Sequence, residues 1–217
     1  GAMAGQIGLI FAMDWSIGGI YGLVFAAGIG MPLSILLGIV AGSVLNRARG
    51  REMVTSYILG FFFNGIYQFF VLYILGSVIP MHNKAIMLSR GYGVRNTLEL
   101  APVRQMLDTA IPLTIAGFKI PILSYLIIIA LCFFIVWFRK TKLGQDMRAI
   151  GQNQAVSLAS GIAVERTRII SIVISTVLAC IGQIIFLQNM GNMSTYNAHD
   201  QTGFFAAAAI LVGGASV

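Results

Sequence analysis

The chain has 217 residues, 58% of them hydrophobic and only 10% charged, with a formal net charge of +7. Soluble domains carry about 25% charged residues, so this composition excludes an ordinary soluble domain and points to an integral membrane protein with several spans. The basic residues flank apolar runs, as they do beside membrane spans, and no nucleic acid is needed to explain them.

Residues 1–46 are apolar except at Asp14 and at the step Gly30-Met31-Pro32. Pro32 suits the first turn of a helix, so the pattern predicts one helix over about 2–28 and a second over about 32–46. Gly38 and Gly42 share one face of the second, a spacing that lets helices approach closely. Asp14 is a carboxylate in an apolar run and hence a candidate for a solute path. The competing reading is a break or interface at Asp14-Trp15-Ser16, with Trp15 as its anchor.

The short turn at 46–52 holds Arg47, Arg49 and Arg51, which predicts the cytoplasmic side. The next span, about 53–79, carries Asn64 and Gln68 on one helical face. Amides in a span usually bond to a neighbouring helix; a place on the solute path is the sharper reading. Residues 80–119 form a long hydrophilic connection with the turn Arg90-Gly91-Tyr92-Gly93, Pro102 and Pro112. Alternation puts this connection outside. It carries five basic residues, against nine in the compact loops of the other side: Arg47, Arg49, Arg51, Arg139, Lys140, Lys142, Arg148, Arg166 and Arg168. The denser charges near span ends set the orientation. A connection this long is expected to be functional or partly folded.

The span from Pro121 to Phe138 closes on Trp137 and Arg139-Lys140. In the polar segment that follows, Asn153 can N-cap a short helix over 154–160. Gly161 suits the left-handed position just past its end. Two turns of helix do not hold alone in water, so this helix needs a surface. Its small side chains (Ala155, Ser157, Ala159, Ser160) let a partner come close. Ile169 to Met190 is another span, with Gln183, a further candidate for the solute path, towards its outer end. Residues 191–203 read as a polar loop facing outside. His199-Asp200 in a solvated loop is weak ground for a metal or catalytic site. Cys132 and Cys180 lie in apolar runs and read as packing residues. The sequence has no P-loop, no nucleophile–base–acid set and no metal-ligand spacing, so no bond chemistry, cofactor or metal is expected.

The run T-x-x-G-x-x-x-R-A-I-G-x-N at Thr141, Gly144, Arg148, Ala149, Ile150, Gly151 and Asn153 continues into Gly161-Ile162. It resembles the cytoplasmic coupling loop of the ABC-importer permeases for ribose, other simple sugars, nucleosides and branched-chain amino acids. In that family the loop sits in a groove of the ATPase subunit and passes its movement to the membrane helices. The resemblance implies Gly144, Arg148, Gly151, Asn153, Ala155, Ala159, Gly161 and Ile162 as ATPase-coupling residues. One departure is visible: the family usually has two small residues after the Asn-x-x step, where this chain has Ala155 then Val156. Glu52-Met53-Val54 resembles the simple-sugar and nucleoside branch. Leu211-Val212-Gly213-Gly214-Ala215-Ser216 resembles the family's L-G-G-x-S motif. Gly1-Ala2-Met3-Ala4-Gly5 resembles the residues just after its L-S-V-G step, where a discontinuous helix begins. That step can also be placed on Asp14-Trp15-Ser16-Ile17-Gly18, which leaves the first helix intact. On the first placement the chain is an internal piece of a longer permease, with two or more helices missing from each end.

The resemblance implies one all-α, polytopic permease domain over 1–217. It would have about five transmembrane helices plus a partial one, some of them discontinuous, with a coupling loop at 139–168 and an extracytoplasmic loop at 80–119. The expected role is a permease subunit of an ABC importer in the cell (inner) membrane, forming the path for a small polar solute, a simple sugar or a nucleoside. The expected partners are an ABC ATPase, a second permease subunit, an extracytoplasmic solute-binding protein and membrane lipid. A branched-chain amino-acid permease and a secondary transporter with broken helices stand as alternatives.

Overall fold

An apolar chain in lipid must satisfy its backbone within each segment, and the helix is the local way to do it. The computed structural model describes residues 1–48, 50–109, 112–115 and 118–214. Arg49 of the basic turn and Ala215-Ser216 of the Gly-Gly motif lie outside the described residues. The helices are α1 (Ala2–Asp14), α2 (Gly19–Arg47), α3 (Glu52–Phe69, prolonged by a wider turn over Phe70–Ile74), α4 (Met106–Thr109), α5 (Ile122–Lys140), α6 (Lys142–Gln152), α7 (Gln154–Ala159), α8 (Val164–Met190) and α9 (Asp200–Val212). Among the described residues four helices are long and apolar enough to cross a membrane: α2, α3 with its extension, α5 and α8. Helices α1 and α9 are shorter and apolar. The architecture is all-α and polytopic, as expected.

The first helix break lies elsewhere than expected. Helix α1 ends at Asp14, Ser16 takes φ 54°, and α2 starts at Gly19 and runs through Pro32 to Arg47. Proline inside a helix removes one donor and crowds the carbonyl four residues back. Here that residue is Gly28, and α2 nevertheless continues as helix on both sides of Pro32. Packing also favours the unbroken helix, because α2 lies along α8. Thr176 Oγ1 donates to the Ser34 carbonyl at 3.0 Å. A Cβ on Gly38 would stand 2.5 Å from Thr176 Oγ1 and 3.0 Å from Val173 Cα, and one on Gly42 would stand 3.2 Å from Ile169 Cα. The glycine pair is the seam between these two helices. Helix α1 fills the other end of the seam with buried Ala4, Leu9, Ile10 and Ala12, and Cys180 is buried there with them.

Helix α5 buries no residue and shows Tyr125, Phe133 and Trp137 outward. So large an apolar surface needs a non-aqueous neighbour, and lipid supplies one.

Residues 75–109 and 191–199 form a folded cap over the end of the bundle where α8 finishes. Strand β1 (Thr97–Glu99) precedes a hairpin of β2 (Pro112–Ile115) and β3 (Phe118–Pro121), and β4 (Asn192–Ser194) follows α8. Strand β4 pairs antiparallel with β1, setting Met193 opposite Leu98, both buried. Thr195 N–H donates to the Asn96 carbonyl at 2.8 Å, and Tyr196 O–H to the Val94 carbonyl at 2.8 Å. The expectation of a solvated loop over 191–203 is therefore corrected. This ladder draws the segment back onto the bundle, burying Met193, Thr195 and His199.

Candidate functional site

At the end of the bundle opposite the cap, α5 ends on Arg139 and Lys140, whose charges suit a helix C-terminus. Thr141 then starts α6, its hydroxyl oxygen accepting from Gly144 N–H at 3.3 Å. This helix was not foreseen; the local signal was a threonine at an N-cap position. Asn153 stops α6 with extended backbone (φ −157°, ψ 107°) and caps α7, its Oδ1 accepting from Ala155 N–H at 3.0 Å and Val156 N–H at 3.2 Å. Gly161 takes φ +80° past the end of α7. Its N–H donates to the Leu158 carbonyl and the Ile162 N–H to the Ser157 carbonyl, each at 3.1 Å. This pair of bonds is the Schellman closure.

Ser157 faces inward. Ala155 and Ala159 are exposed, Ile162 is half-buried, and Arg148 and Gly151 are exposed on α6. Gly144 is half-buried, where a Cβ would stand 2.9 Å from Arg139 Cα. Val156 and Leu158, not singled out from sequence, are 60% and 65% exposed. Their signal was present: two apolar side chains on a two-turn helix in a polar segment. A concavity of about 280 Å³ beside α7 is lined by Leu158, Ile162, Val164 and Arg166. Nearby, Arg168 Nη2 meets Glu52 Oε1 at 3.1 Å, and Asn46 Nδ2 donates to the Glu165 carbonyl at 2.9 Å. These contacts tie the starts of α3 and α8 to the end of α2.

A second site gathers polar side chains from several segments at the level of Asn64, inside the α3 span. The His199 side chain is 4% exposed. Its Nδ1 lies 3.2 Å from Gln6 Oε1, and its Nε2 lies 3.2 Å from Asn64 Oδ1 and 3.3 Å from Asp200 Oδ1. The Tyr67 ring stands edge-on to it, with centroids 5.1 Å apart. Tyr67 O–H donates to the Thr195 carbonyl at 2.6 Å. Gln183 Nε2 donates to the Ala198 carbonyl at 3.3 Å, and the Thr202 hydroxyl donates to Gln183 Oε1. Burial holds the His199 pKa below the ordinary imidazole value, with the Asp200 carboxylate pulling the other way. Burial also raises the Tyr196 phenol.

Asn64 and Gln183 therefore meet around the segment 195–202, while Gln68 is exposed on α3. Gln6, Tyr67, Thr195 and His199 were missed. Lone amides in separate apolar runs were the available signal, since each must find a partner; which partner depends on the re-entry of 191–199.

Asp14 sits apart from this cluster, at the helix break. Its side chain is 1% exposed. Oδ1 accepts from His82 N–H at 2.7 Å and Asn83 N–H at 2.9 Å, and Oδ2 lies 3.1 Å from His82 Nδ1. The carboxylate pins the cap to the end of α1. With Trp15, Ser16, His82 and Asn83 it lines an open concavity of about 550 Å³.

Comparison with known proteins gives the following. A family model described as "Branched-chain amino acid transport system / permease component" matches residues 2–217. The nucleoside ABC transporter permease protein NupB of Lactococcus lactis is 37% identical over 90 residues, 41% of this chain and 25% of NupB. The autoinducer 2 import system permease protein LsrD of Escherichia coli K12 is 23% identical over 199 residues, 90% of this chain and 56% of LsrD. The chain thus spans about half the length of LsrD, and its match covers a quarter of NupB. No solved structure matches it.

Proposed function

Because the chain belongs to the branched-chain amino acid transport system permease family, we propose that it forms the solute path of an ABC importer in the cell (inner) membrane. The solute is small and polar, a simple sugar or a nucleoside, in keeping with the nucleoside and autoinducer 2 permeases it is similar to. ATP is hydrolysed on a separate ATPase subunit. A second permease subunit completes the path, and a solute-binding protein delivers to the cap. In this reading the face with α6, α7 and residues 46–52 is cytoplasmic, and the cap is extracytoplasmic.

The observation that carries the reading is α7. A six-residue helix is too short to persist alone, yet this one is capped at both ends and turns Val156 and Leu158 outward. Fully burying a side chain of that size is worth about 1.5–3 kcal/mol, enough for such a knob to dock. The coupling free energy needed between two sites is about 1–3 kcal/mol. When ATP closes the ATPase pair, α7 moves with its groove. The movement enters α8 directly and reaches α2 and α3 through the Asn46–Glu165 and Glu52–Arg168 contacts. These helices then re-expose the path to the other side. The test is copurification of the complete tagged permease with a coexpressed ATPase from the neighbouring reading frames. Wild type should retain the ATPase and Leu158→Asp should release it. No capture by wild type, or equal capture by both, refutes the reading.

A further inference from the structure

Helix α3 with its extension ends at Ile74, and the last carbonyls of a helix need donors from elsewhere. Residues 86–95 of the cap supply them. Gly93 N–H donates to the Leu75 carbonyl at 2.9 Å, and Val94 N–H to the Val71 carbonyl at 3.2 Å. The segment also folds back on itself. Leu88 N–H donates to the Gly93 carbonyl and Arg95 N–H to the Ile86 carbonyl, each at 2.9 Å, with Met87 opposite Val94. A tight hairpin is thus pinned to the end of a membrane span, at the level where lipid headgroups meet water. Tyr73 and Tyr92, 49% and 37% exposed, are of the type that favours this level. Val78, 74% exposed just past the span, needs an apolar neighbour.

Held there, the hairpin walls a concavity of about 430 Å³, lined by Gly76, Pro80, Lys84, Met87, Leu88 and Arg95 among others. That volume lies within the range of small-molecule sites, about 300–1,000 Å³. Gly76, at φ +89°, lets the two walls meet: a Cβ on it would stand 2.5 Å from Met87 Cε and 3.0 Å from Tyr92 Cα.

The lining has two kinds of chemistry. Pro80, Met87 and Leu88 are apolar. Lys84 and Arg95 are cations, and no acid lines the concavity among the described residues. Nor is any carboxylate of the described residues paired with either cation. Arg95 Nε donates to the Met87 carbonyl at 3.0 Å. This bond orients the guanidinium and leaves its Nη donors for another group. Arg90, in the same hairpin, is engaged differently. Its Nε donates to the Tyr92 carbonyl at 3.3 Å, and its guanidinium lies over the Tyr92 ring, 4.5 Å from the centroid.

We propose that this concavity holds the headgroup of an anionic phospholipid, with the phosphate between Lys84 and Arg95 and the glycerol end of the acyl chains against Pro80, Met87 and Leu88. Arginine meets a phosphate with its planar fork and lysine with a point charge. Inorganic phosphate shares that chemistry, but it leaves the apolar wall uncovered. A zwitterionic headgroup brings its own cation towards Lys84 and Arg95 and gains less. The pinning of the hairpin to α3 sets the site where such a lipid already stands. The proposal rests on the membrane-spanning fold and is independent of the solute carried.

The experiment uses the complete permease in nanodiscs. Phosphatidylglycerol or phosphatidylcholine, each with a diazirine beside the glycerol, is added in trace amount to a phosphatidylcholine bilayer. After illumination, lipid adducts are counted on proteolytic fragments covering residues 76–95. Each cation beside an anionic lipid is worth about fivefold in binding, so phosphatidylglycerol should label this segment roughly twentyfold more than phosphatidylcholine. Lys84 is exposed, and Lys84→Gln should lose about fivefold of that labelling with an unchanged unfolding temperature. Arg95→Lys keeps the charge and should keep most of the labelling, whereas Arg95→Gln should not. Arg90→Gln removes a neighbouring charge outside the concavity and should change little. Equal labelling by the two lipids, or an equal loss in Lys84→Gln and Arg90→Gln, overturns the proposal. Suppression of the labelling by millimolar inorganic phosphate at constant ionic strength reassigns the site to the free anion and overturns it as a lipid site. Suppression by the solute-binding protein, with Lys84→Gln weakening that protein's binding, assigns the cations to an acidic protein surface and overturns it likewise.

Discussion

Replacing Gly161 with aspartate separates docking from folding. Gly161 sits at φ +80°, where a residue with a Cβ pays roughly 1–2 kcal/mol and aspartate tolerates the conformation better than most. A Cβ there meets no heavy atom within 4 Å, so no clash is added. The two bonds that close α7 come from main-chain N–H groups and survive the change. The cost to the fold is therefore about 1–2 kcal/mol at most, and it is confined to a six-residue helix. Docking pays more. A carboxylate buried against a partner without a matching group costs about 1–3 kcal/mol or more. Every 1.4 kcal/mol is about tenfold in affinity, so ATPase binding should fall by about tenfold or more. The assays are ATPase retention on the complete tagged permease and ATP-driven uptake, with expression level and thermal unfolding as controls. Gly161→Asn shares the backbone tolerance without the charge and should keep most of both activities. Wild-type retention and uptake in Gly161→Asp would refute the reasoning, and an equal loss in both variants would assign the effect to the backbone instead.

Three further outcomes are expected. Gly38→Ala forces a Cβ against Thr176 Oγ1 and the Val173 backbone and should destabilise the protein by about 1–3 kcal/mol. Gly60→Ala, with nothing within 4 Å, should not, and thermal unfolding in detergent compares the two. Because burial lowers the His199 pKa, the unfolded chain binds the proton more readily. That contribution to stability is present above the unfolded imidazole pKa of about 6.5 and is lost as pH falls through it towards the folded value. His199→Gln should flatten the dependence of unfolding temperature on pH over that window. Finally, with the native cysteines replaced, Ala155→Cys should label only from the cytoplasmic side and Ser89→Cys only from outside intact cells; the reverse pattern would invert the orientation.

What the sequence made legible was local. Asn153 and Gly161 announced both ends of α7, because capping depends on neighbours a few residues away. Gly38 and Gly42 announced a close seam, though not that α8 was the partner. The first helix break was misplaced because the Gly30-Met31-Pro32 step obeys a local rule that packing of α2 along α8 overrides. The polar cluster was invisible for a different reason. His199 is buried only because β4 pairs with β1, a segment far back in the chain. No spacing near His199 encodes that pairing, so a buried histidine read as a solvated one. Asp14 gave two readings, and its bonds to His82 and Asn83 show what it holds together at the break.

The central claim is that α7 is the element the ATPase grips, and a photo-crosslinking residue at position 158 tests it most directly. Leu158 is 65% exposed on α7, and Leu126, 57% exposed on α5, serves as the matched control. In membranes containing the complete permease and its ATPase, position 158 should crosslink to the ATPase subunit with a yield that changes with nucleotide, and position 126 should not. Equal yields at the two positions, or no ATPase adduct at 158, would contradict the account.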